Sequence, residues 1–304
     1  MIRLVHFSDP HLFRFSFSWG ALADKRLLGM LNYGCRRRFQ IREDAVGKLQ
    51  DAFRLLRPDV VVCTGDLTCT GSPAEFAFAQ QAFAPLAESP DYELLVLPGN
   101  HDAYVRDPAC RLAMDATFRQ LNRGRFGLEE LPLERRYGGL RLFLLDASRP
   151  TAPYLSSGRL SDLTRFWLES RLAVNHEDKE KRVSVCHFPT AQANGRREGW
   201  RHRLENGQWL RHLLAEQRLD LALCGHIHRP FVRQEPGGAL EICAGALTIH
   251  RHLNVVDYDE ASGELRQSWF HFGSPNPGGN LLETLAPKPP PERLAYNCGK
   301  AANG

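Results

Sequence analysis

Long apolar runs are absent from this 304-residue sequence. No stretch approaches the roughly 20 apolar residues that a transmembrane helix requires. Residues 1–7 are too short for the apolar region of a secretory signal, and no small-residue cleavage site follows them. Internal repeats are also absent, and a composition of 43% hydrophobic and 24% charged residues excludes disordered and collagen-like chains. We therefore expect a soluble, cytoplasmic, globular protein.

None of the eight cysteines belongs to a C-x-x-C pair. Several stand inside apolar runs, as Cys63 does after three consecutive valines. An even number would permit disulfides, but this placement favours small buried hydrophobic residues in a reducing compartment.

The formal net charge of +4 is distributed unevenly along the chain. Residues 13–38 contain six basic residues and one acid, whereas residues 190–218 contain six basic residues and three acids. These two segments sum to +5 and +3, which leaves −4 for the remainder. Two basic segments on an acidic body predict an anionic substrate.

Short β-rich runs alternate with amphipathic helical stretches, such as the strand at 59–63 and the helix at 41–56. From residue 231 onward the pattern predicts strands only, ending with 265–272. This order predicts an α/β fold in which two packed mixed β-sheets are flanked by helices. We expect residues 1–272 to form the catalytic domain. Residues 273–304, which hold six prolines, form a tail that wraps the surface or is disordered.

Polar and titratable side chains follow the ends of five predicted strands, at the edge where open α/β sheets bind ligands. They are Asp9 and His11 after residues 2–7, Asp66 after 59–63, Asn100, His101 and Asp102 after 94–97, His187 after 183–186, and His226 and His228 after 219–224. Mixed carboxylate, amide and imidazole donors suit Mn²⁺, Fe or Zn²⁺ better than Ca²⁺. Because there are too many ligands for one ion, the pattern predicts two divalent metals, with Mn²⁺ preferred.

The five blocks, D-x-H, GD, GNHD, H and GH-x-H, resemble in order those of the calcineurin-like metallophosphoesterases, and they span residues 9–228. The resemblance implies a four-layer α/β/β/α sandwich and two metal sites. The implied ligands are Asp9, His11 and His228 for the first metal, Asn100, His187 and His226 for the second, and Asp66 for both. It further implies that a metal-bridging hydroxide attacks the phosphorus, that His101 protonates the leaving oxygen, and that Asp102 orients His101.

The basic segment 13–38 begins two residues after His11, and aromatic and aliphatic residues interleave with its cations. One interpretation is an amphipathic cap in which Lys25, Arg26 and residues 36–38 meet an anionic membrane, peripheral to the inner membrane. A second is a lid whose cations select a phosphate-bearing substrate, and a third is an ordinary packed insertion with solvated arginines.

We expect metal-dependent hydrolysis of a phosphodiester or pyrophosphate bond in a phosphate-containing small molecule. The basic segment would also suit a lipid-linked nucleotide, as for UDP-2,3-diacylglucosamine pyrophosphatases of lipid A synthesis, many of which carry Arg at the position of His101. Cyclic-nucleotide phosphodiesterases usually show His-His-Pro where this chain has His187-Phe188-Pro189. Further alternatives are a nuclease, although the interleaved aliphatics disfavour a nucleic-acid partner, and a non-catalytic scaffold, which would lack ligands that are present here.

Overall fold

The computed structural model describes residues 1–15, 20–21, 24–35, 37–174, 179–271 and 283–284. Within them lie two six-stranded mixed sheets flanked by helices, which confirms the predicted fold class. Apart from residues 283–284, the tail predicted at 273–304 lies outside the described residues, as does Phe272 at the end of the last predicted strand.

The strands and helices are numbered in chain order. The strands are β1 (Ile2–Phe7), β2 (Val60–Cys63), β3 (Glu93–Val96), β4 (Leu133–Tyr137), β5 (Leu140–Leu144), β6 (Lys181–Val185), β7 (Leu221–Cys224), β8 (Phe231–Gln234), β9 (Leu240–Cys243), β10 (His252–Asp259), β11 (Glu264–His271) and β12 (Glu283–Thr284). The helices are α1 (Lys25–Cys35), α2 (Asp44–Gly47), α3 (Leu49–Leu56), α4 (Pro73–Ala87), α5 (Pro108–Leu121), α6 (Asp162–Leu172), α7 (Gly207–Ala215) and α8 (Leu247–His250).

Parallel strands form the centre of each sheet. The first sheet has the order β12-β11-β10-β1-β2-β3 and the second the order β4-β5-β6-β7-β9-β8. Strands β1, β2 and β3 run parallel to one another, as do β5, β6, β7 and β9. The carboxyl ends of these strands therefore meet at one edge of each sheet, where ligand-bearing loops can converge.

Successive side chains of each strand point to opposite faces of its sheet, and this alternation produces the four layers. In β2, Val60 and Val62 pack in the core between the two sheets, whereas Val61 and Cys63 pack against the helices beside the first sheet. Helices α6 and α7 cover the outer face of the second sheet, where Leu168 and Leu210 pack in its core. Because successive strand residues point to opposite faces, each buried strand contributes to two cores.

Two local predictions were wrong. The helix predicted at 41–56 is two helices, α2 and α3; they are separated by Lys48, directly after Gly47, a residue of low helix propensity. The strand-only region after residue 231 is interrupted by the single turn of α8. Strand β4, which the sequence pattern did not indicate, lies at the end of the second sheet and is only half-buried.

The basic segment directs two of its cations inward. Lys25 and Arg26 are only 6% and 4% exposed. Arg26 pairs with Asp24 and Asp107, and Lys25 Nζ donates to the Leu155 carbonyl at 2.7 Å. The interpretation in which these two cations meet anionic lipid was therefore wrong, because both are used to hold α1 against the body. Among the described helices, none has the length and apolar character needed to cross a membrane.

The cysteines follow the predicted placement with one exception. Six of the seven cysteines that the structure describes are buried and form no disulfide among the described residues, whereas Cys35, at the end of α1, is exposed. Cys298 belongs to the tail and lies outside the described residues.

The Asn122 side chain pairs with the edge of strand β3, which leads into the loop that carries Asn100 and His101. Asn122 is fully buried, accepts a hydrogen bond from the Val96 amide at 2.8 Å and donates one to the Val96 carbonyl at 3.0 Å. We expect Asn122→Ala to lower the free energy of unfolding in urea by about 2–4 kcal/mol, because both backbone groups lose their partner. The exposed Asn194→Ala should cost less than about 0.5 kcal/mol, and equal losses would contradict this role.

Candidate metal centre

The residues predicted to bind metal lie at the junction of the two sheet edges. Loops after β1, β2 and β3 of the first sheet carry Asp9, His11, Asp66 and Asn100, and loops after β6 and β7 of the second carry His187, His226 and His228. Because neither sheet holds the whole set, the site exists only where both sheets are packed together.

A first group consists of Asp9, His11, Asp66 and His228, each of which offers one ligand atom within 4.8 Å of all the others. Asp9 Oδ1 lies 3.5 Å from His11 Nε2 and 3.3 Å from His228 Nε2. The two Nε2 atoms are themselves 2.8 Å apart. Two imidazole nitrogens and carboxylate oxygens that converge in this way form a donor set suited to a divalent cation.

A second group extends from the same Asp66 carboxylate. Asp66 Oδ2 lies 3.4 Å from His187 Nε2 and 3.8 Å from His11 Nε2, so this oxygen lies between the two groups. Asn100 Oδ1 is 3.2 Å from His187 Nε2 and 2.8 Å from His226 Nδ1. The structure therefore brings all seven predicted ligands together, with Asp66 in the shared position.

The buried oxygens test whether a cation fits. Asp9 Oδ1 and Asp66 Oδ2 are buried and accept no hydrogen bond from the described residues. An unpaired buried carboxylate oxygen is costly unless a cation compensates it. These are also the two oxygens that face the histidine nitrogens, so the chemistry of the donor set fits metal binding.

The histidines partly supply that compensation in the absence of metal. Burial lowers the pKa of His187, but Asp66 and then Asp9 outweigh burial and raise it to about 9. Burial raises the pKa of Asp66, but the surrounding imidazolium charges, His187 first, hold it below its usual range. A proton on His187 thus offsets the Asp66 charge where a metal would do so.

The ligands sit on unusual backbone. Asp9, His11, Asp66, His226 and His228 all have left-handed φ values, between 48° and 69°. Non-glycine residues seldom adopt this conformation, and each instance costs on the order of 1–3 kcal/mol. Backbone hydrogen bonds between the loops hold these strained turns in place; for example, the Asp9 N–H donates to the Gly65 carbonyl at 2.9 Å.

Position 99 requires glycine because the Asp66 carboxylate lies against its backbone. A Cβ on Gly99 would overlap the Asp66 carboxylate. The same is true of Gly225, where a Cβ would overlap Asp9. Both glycines precede predicted ligands, and they allow the loops of the two sheets to come within ligand distance.

The ligand histidines are oriented by backbone carbonyls. His187 Nδ1 lies 2.8 Å from the Thr64 carbonyl, His11 Nδ1 lies 3.3 Å from that of Thr68, and His226 Nε2 lies 2.6 Å from that of His202. An N–H that donates to a carbonyl fixes the tautomer, so the other ring nitrogen carries the lone pair. No sequence motif indicates these partners, because they are main-chain atoms.

His101 lies beside the shared carboxylate. Its backbone N–H donates to Asp66 Oδ1 at 2.7 Å, and its Nδ1 lies 2.5 Å from the Cys69 carbonyl. The ring stacks on Tyr104, with centroids 5.2 Å apart and planes 15° apart. The Cys69 carbonyl and the Tyr104 ring thus fix the orientation of the His101 ring.

The predicted contact between Asp102 and the His101 ring is not formed. The Asp102 carboxylate instead accepts hydrogen bonds from the backbone amides of Leu67, Thr68 and Gly99, at 2.9–3.2 Å. Its side chain is buried beneath the loops, whereas Nδ1 of His101 faces Cys69. The orienting role predicted for Asp102 was therefore wrong: this residue ties the loop after β2 to the loop after β3.

A cavity of about 280 Å³ opens at the centre. Its lining includes His101 and several ligands, together with Ser156, Glu198 and His202. Sequence reasoning missed these three as site residues, because they come from loops that match no ligand block. For Glu198 and His202, the position of residues 195–203 between two ligand blocks indicated only a basic border to the site.

Asp102→Asn should destabilise the protein rather than act through His101. Burial, followed by the charge of Asp66, raises the pKa of Asp102 to about 7, so unfolding is best measured at pH 8. We expect a loss of about 2–4 kcal/mol, because an amide group cannot accept all of these bonds. Asp115→Asn, on the surface of α5, serves as the control. An unchanged unfolding free energy with reduced turnover would restore the orienting role.

Metal should stabilise the fold measurably. We expect Mn²⁺ at about one hundred times its dissociation constant to raise the melting temperature of the metal-free protein by roughly 5 °C or more. Asp66→Asn should remove most of this shift, because it weakens both sites at once, whereas Asp115→Asn should keep it. Differential scanning fluorimetry measures all three, and an equal shift in Asp66→Asn would contradict the shared ligand.

Known proteins provide an independent comparison. A probable cyclic nucleotide phosphodiesterase from Rhodococcus erythropolis is 32% identical over 188 residues, covering 61% of this chain and 52% of that protein. A glycerophosphodiester phosphodiesterase from Enterobacter lignolyticus is 33% identical over 179 residues, covering 57% and 56%. The chain thus spans about half the length of the curated relatives it matches.

Solved structures share the fold. A dimetal phosphatase from Danio rerio superposes with a TM-score of 0.61 at 14% identity, covering 88% of this chain and 95% of that one. A purple acid phosphatase from yellow lupin superposes with a TM-score of 0.54, also at 14% identity, and the match covers 88% of this chain and 51% of that one. The family model for calcineurin-like phosphoesterases matches residues 2–230. Since this match covers most of the chain and every predicted ligand, the chain belongs to the calcineurin-like phosphoesterase family.

Proposed function

We propose that this protein is a metal-dependent phosphodiesterase, and that residues 1–272 form its catalytic domain. The observation that carries the proposal is the pair of ligand groups that share Asp66 beside His101 in one cavity. The relatives described above are named as phosphodiesterases, which favours a phosphodiester over a pyrophosphate substrate. The inward direction of Lys25 and Arg26 removes one argument for a lipid-linked nucleotide.

Two divalent cations would be held by the seven ligands. Asp9, His11 and His228 would hold one, Asn100, His187 and His226 the other, and Asp66 both. Carboxylate, amide and imidazole donors suit Mn²⁺, Fe or Zn²⁺. When bound, such a pair supplies positive charge to the phosphoryl oxygens and lowers the pKa of water.

His101 would act as the general acid. Its ring is fixed by the Cys69 carbonyl and the Tyr104 ring, and it lines the cavity next to Asp66. A proton held at Nε2 can pass to the oxygen of the departing alcohol as the P–O bond breaks. An alkyl alcohol is a poor leaving group without that proton, whereas a nitrophenol leaves readily as the anion.

The identity of the leaving group therefore tests His101. We expect His101→Asn to lower kcat roughly 10²- to 10⁴-fold on alkyl phosphodiesters such as glycerophosphoethanolamine or a cyclic nucleotide. On bis-p-nitrophenyl phosphate the loss should be smaller by roughly tenfold or more, because the leaving group needs no proton. The Mn²⁺-dependent rise in melting temperature should persist, since His101 is not placed as a ligand.

His212→Asn is the matched control, because His212 is an exposed histidine on α7. It should leave both rates unchanged. Equal losses on the two substrate classes in His101→Asn would contradict the general-acid role while leaving a phosphodiesterase. Absence of metal-dependent hydrolysis of every phosphodiester in the wild-type protein would contradict the proposed function itself and favour a scaffold.

A further inference from the structure

Two large aromatic side chains belong to the loops that supply Ser156, Glu198 and His202 to the cavity lining, and we call this part of its border the rim. Tyr154 and Trp200 are 62% and 57% exposed, although a ring of that size usually gains from burial. Their centroids are 6.4 Å apart with the planes 66° apart. The Arg201 guanidinium lies over the Trp200 ring, 5.2 Å from its centroid. Neither ring packs in a core cluster of the described residues.

The loops that carry this pair are fastened to each other. Ser156 N donates to the Arg201 carbonyl at 2.7 Å, and Gly158 N donates to the Arg203 carbonyl at 3.1 Å. A third bond runs from Glu205 N back to the Gly158 carbonyl at 2.9 Å. This pairing sets the register of the two loops and accounts for the side-by-side position of Tyr154 and Trp200.

The same loops are tied to the metal centre. The His202 carbonyl lies 2.6 Å from Nε2 of the ligand His226, and the buried Lys25 holds the Leu155 carbonyl. Ser156, Glu198 and His202 line the cavity, and each lies two residues from Tyr154 or Trp200 in the sequence. These contacts tie the loops that carry the aromatic pair to the loop that carries His226 and to Lys25.

The size of the cavity indicates where the rest of a substrate lies. A volume of about 280 Å³ is at the low end of ligand cavities, which run from roughly 300 to 1,000 Å³. It accommodates a phosphoryl group and a small sugar, so a larger leaving or retained group must extend over the rim. Exposed ring faces with an adjacent guanidinium bind planar π systems by stacking.

We propose that Tyr154, Trp200 and Arg201 form a subsite that stacks the nucleobase of a nucleotide phosphodiester; the proposal rests on the proposed function and names its substrate class. The Glu198 carboxylate, which lines the same cavity, can accept hydrogen bonds from sugar hydroxyls or amino groups. Ring faces that can stack and a carboxylate that can accept hydrogen bonds favour a planar ligand with hydrogen-bond donors. A nucleotide meets both conditions, because its base is planar and its sugar hydroxyls and amino groups are donors.

Calorimetric titration of the full chain tests the subsite. For the Mn²⁺-loaded protein, 5′-AMP should bind roughly tenfold or more tightly than ribose 5-phosphate, and for the metal-free protein adenosine should likewise exceed ribose. Trp200→Ala should bring both ratios close to one, whereas Trp200→Phe should retain most of each. Phe166→Ala, which removes a ring that is 76% exposed on α6, is the matched control and should change neither.

Equal binding of the paired ligands by the wild-type protein, or ratios that survive Trp200→Ala, would overturn the subsite. If Trp200→Ala instead abolishes co-sedimentation with phosphatidylglycerol vesicles and leaves the ratios unchanged, the pair is a membrane contact and the proposal is wrong. Because adenosine binding needs neither metal nor turnover, the subsite can fail while the phosphodiesterase stands. If the phosphodiesterase proposal fails while the subsite holds, the protein binds the nucleobase but shows no metal-dependent hydrolysis.

Discussion

Negative charge buried between two sheets is the constraint on which the site depends. Asp9 and Asp66 lie fully inside the protein, and each leaves one oxygen without a hydrogen bond from the described residues. Such oxygens require positive charge close by, and a proton on His187, whose pKa the two carboxylates raise, provides it only in part. The convergence of donors from both sheets, the left-handed backbone and the glycines beside the ligands all serve to surround these two carboxylates.

Side-chain hydrogen bonds hold the loops that carry the predicted ligands in place. Asp102 joins two ligand loops through their amides, and Asn122 completes the strand that leads to His101. Backbone carbonyls orient the ligand rings. The proposed base-binding rim lies on two loops that are held by their mutual hydrogen bonds, by Lys25 and by the contact between the His202 carbonyl and His226. Loops of this kind can vary without disturbing the metal centre, because the ligands belong to other loops.

Much of the core was predictable because its signals are local. Short continuous apolar runs mark buried strands such as β2, and residues of ligand type directly after a strand mark the edge where parallel strands end. The target of Asp102 was not predictable, since it consists of backbone amides that any sequence would offer. The burial of the Lys25 side chain depends on a hydrogen bond to the Leu155 carbonyl, 130 residues away in the sequence. The rim depends likewise on pairing between loops that are distant in the chain.

The most direct test of this account is an anomalous difference map from crystals of the protein grown with Mn²⁺. The account predicts two strong peaks per chain, roughly 3.5–4 Å apart, with Asp66 in contact with both and Asn100 in contact with only one. A single peak, or two peaks without Asp66 between them, would contradict the shared buried carboxylate on which the site is built.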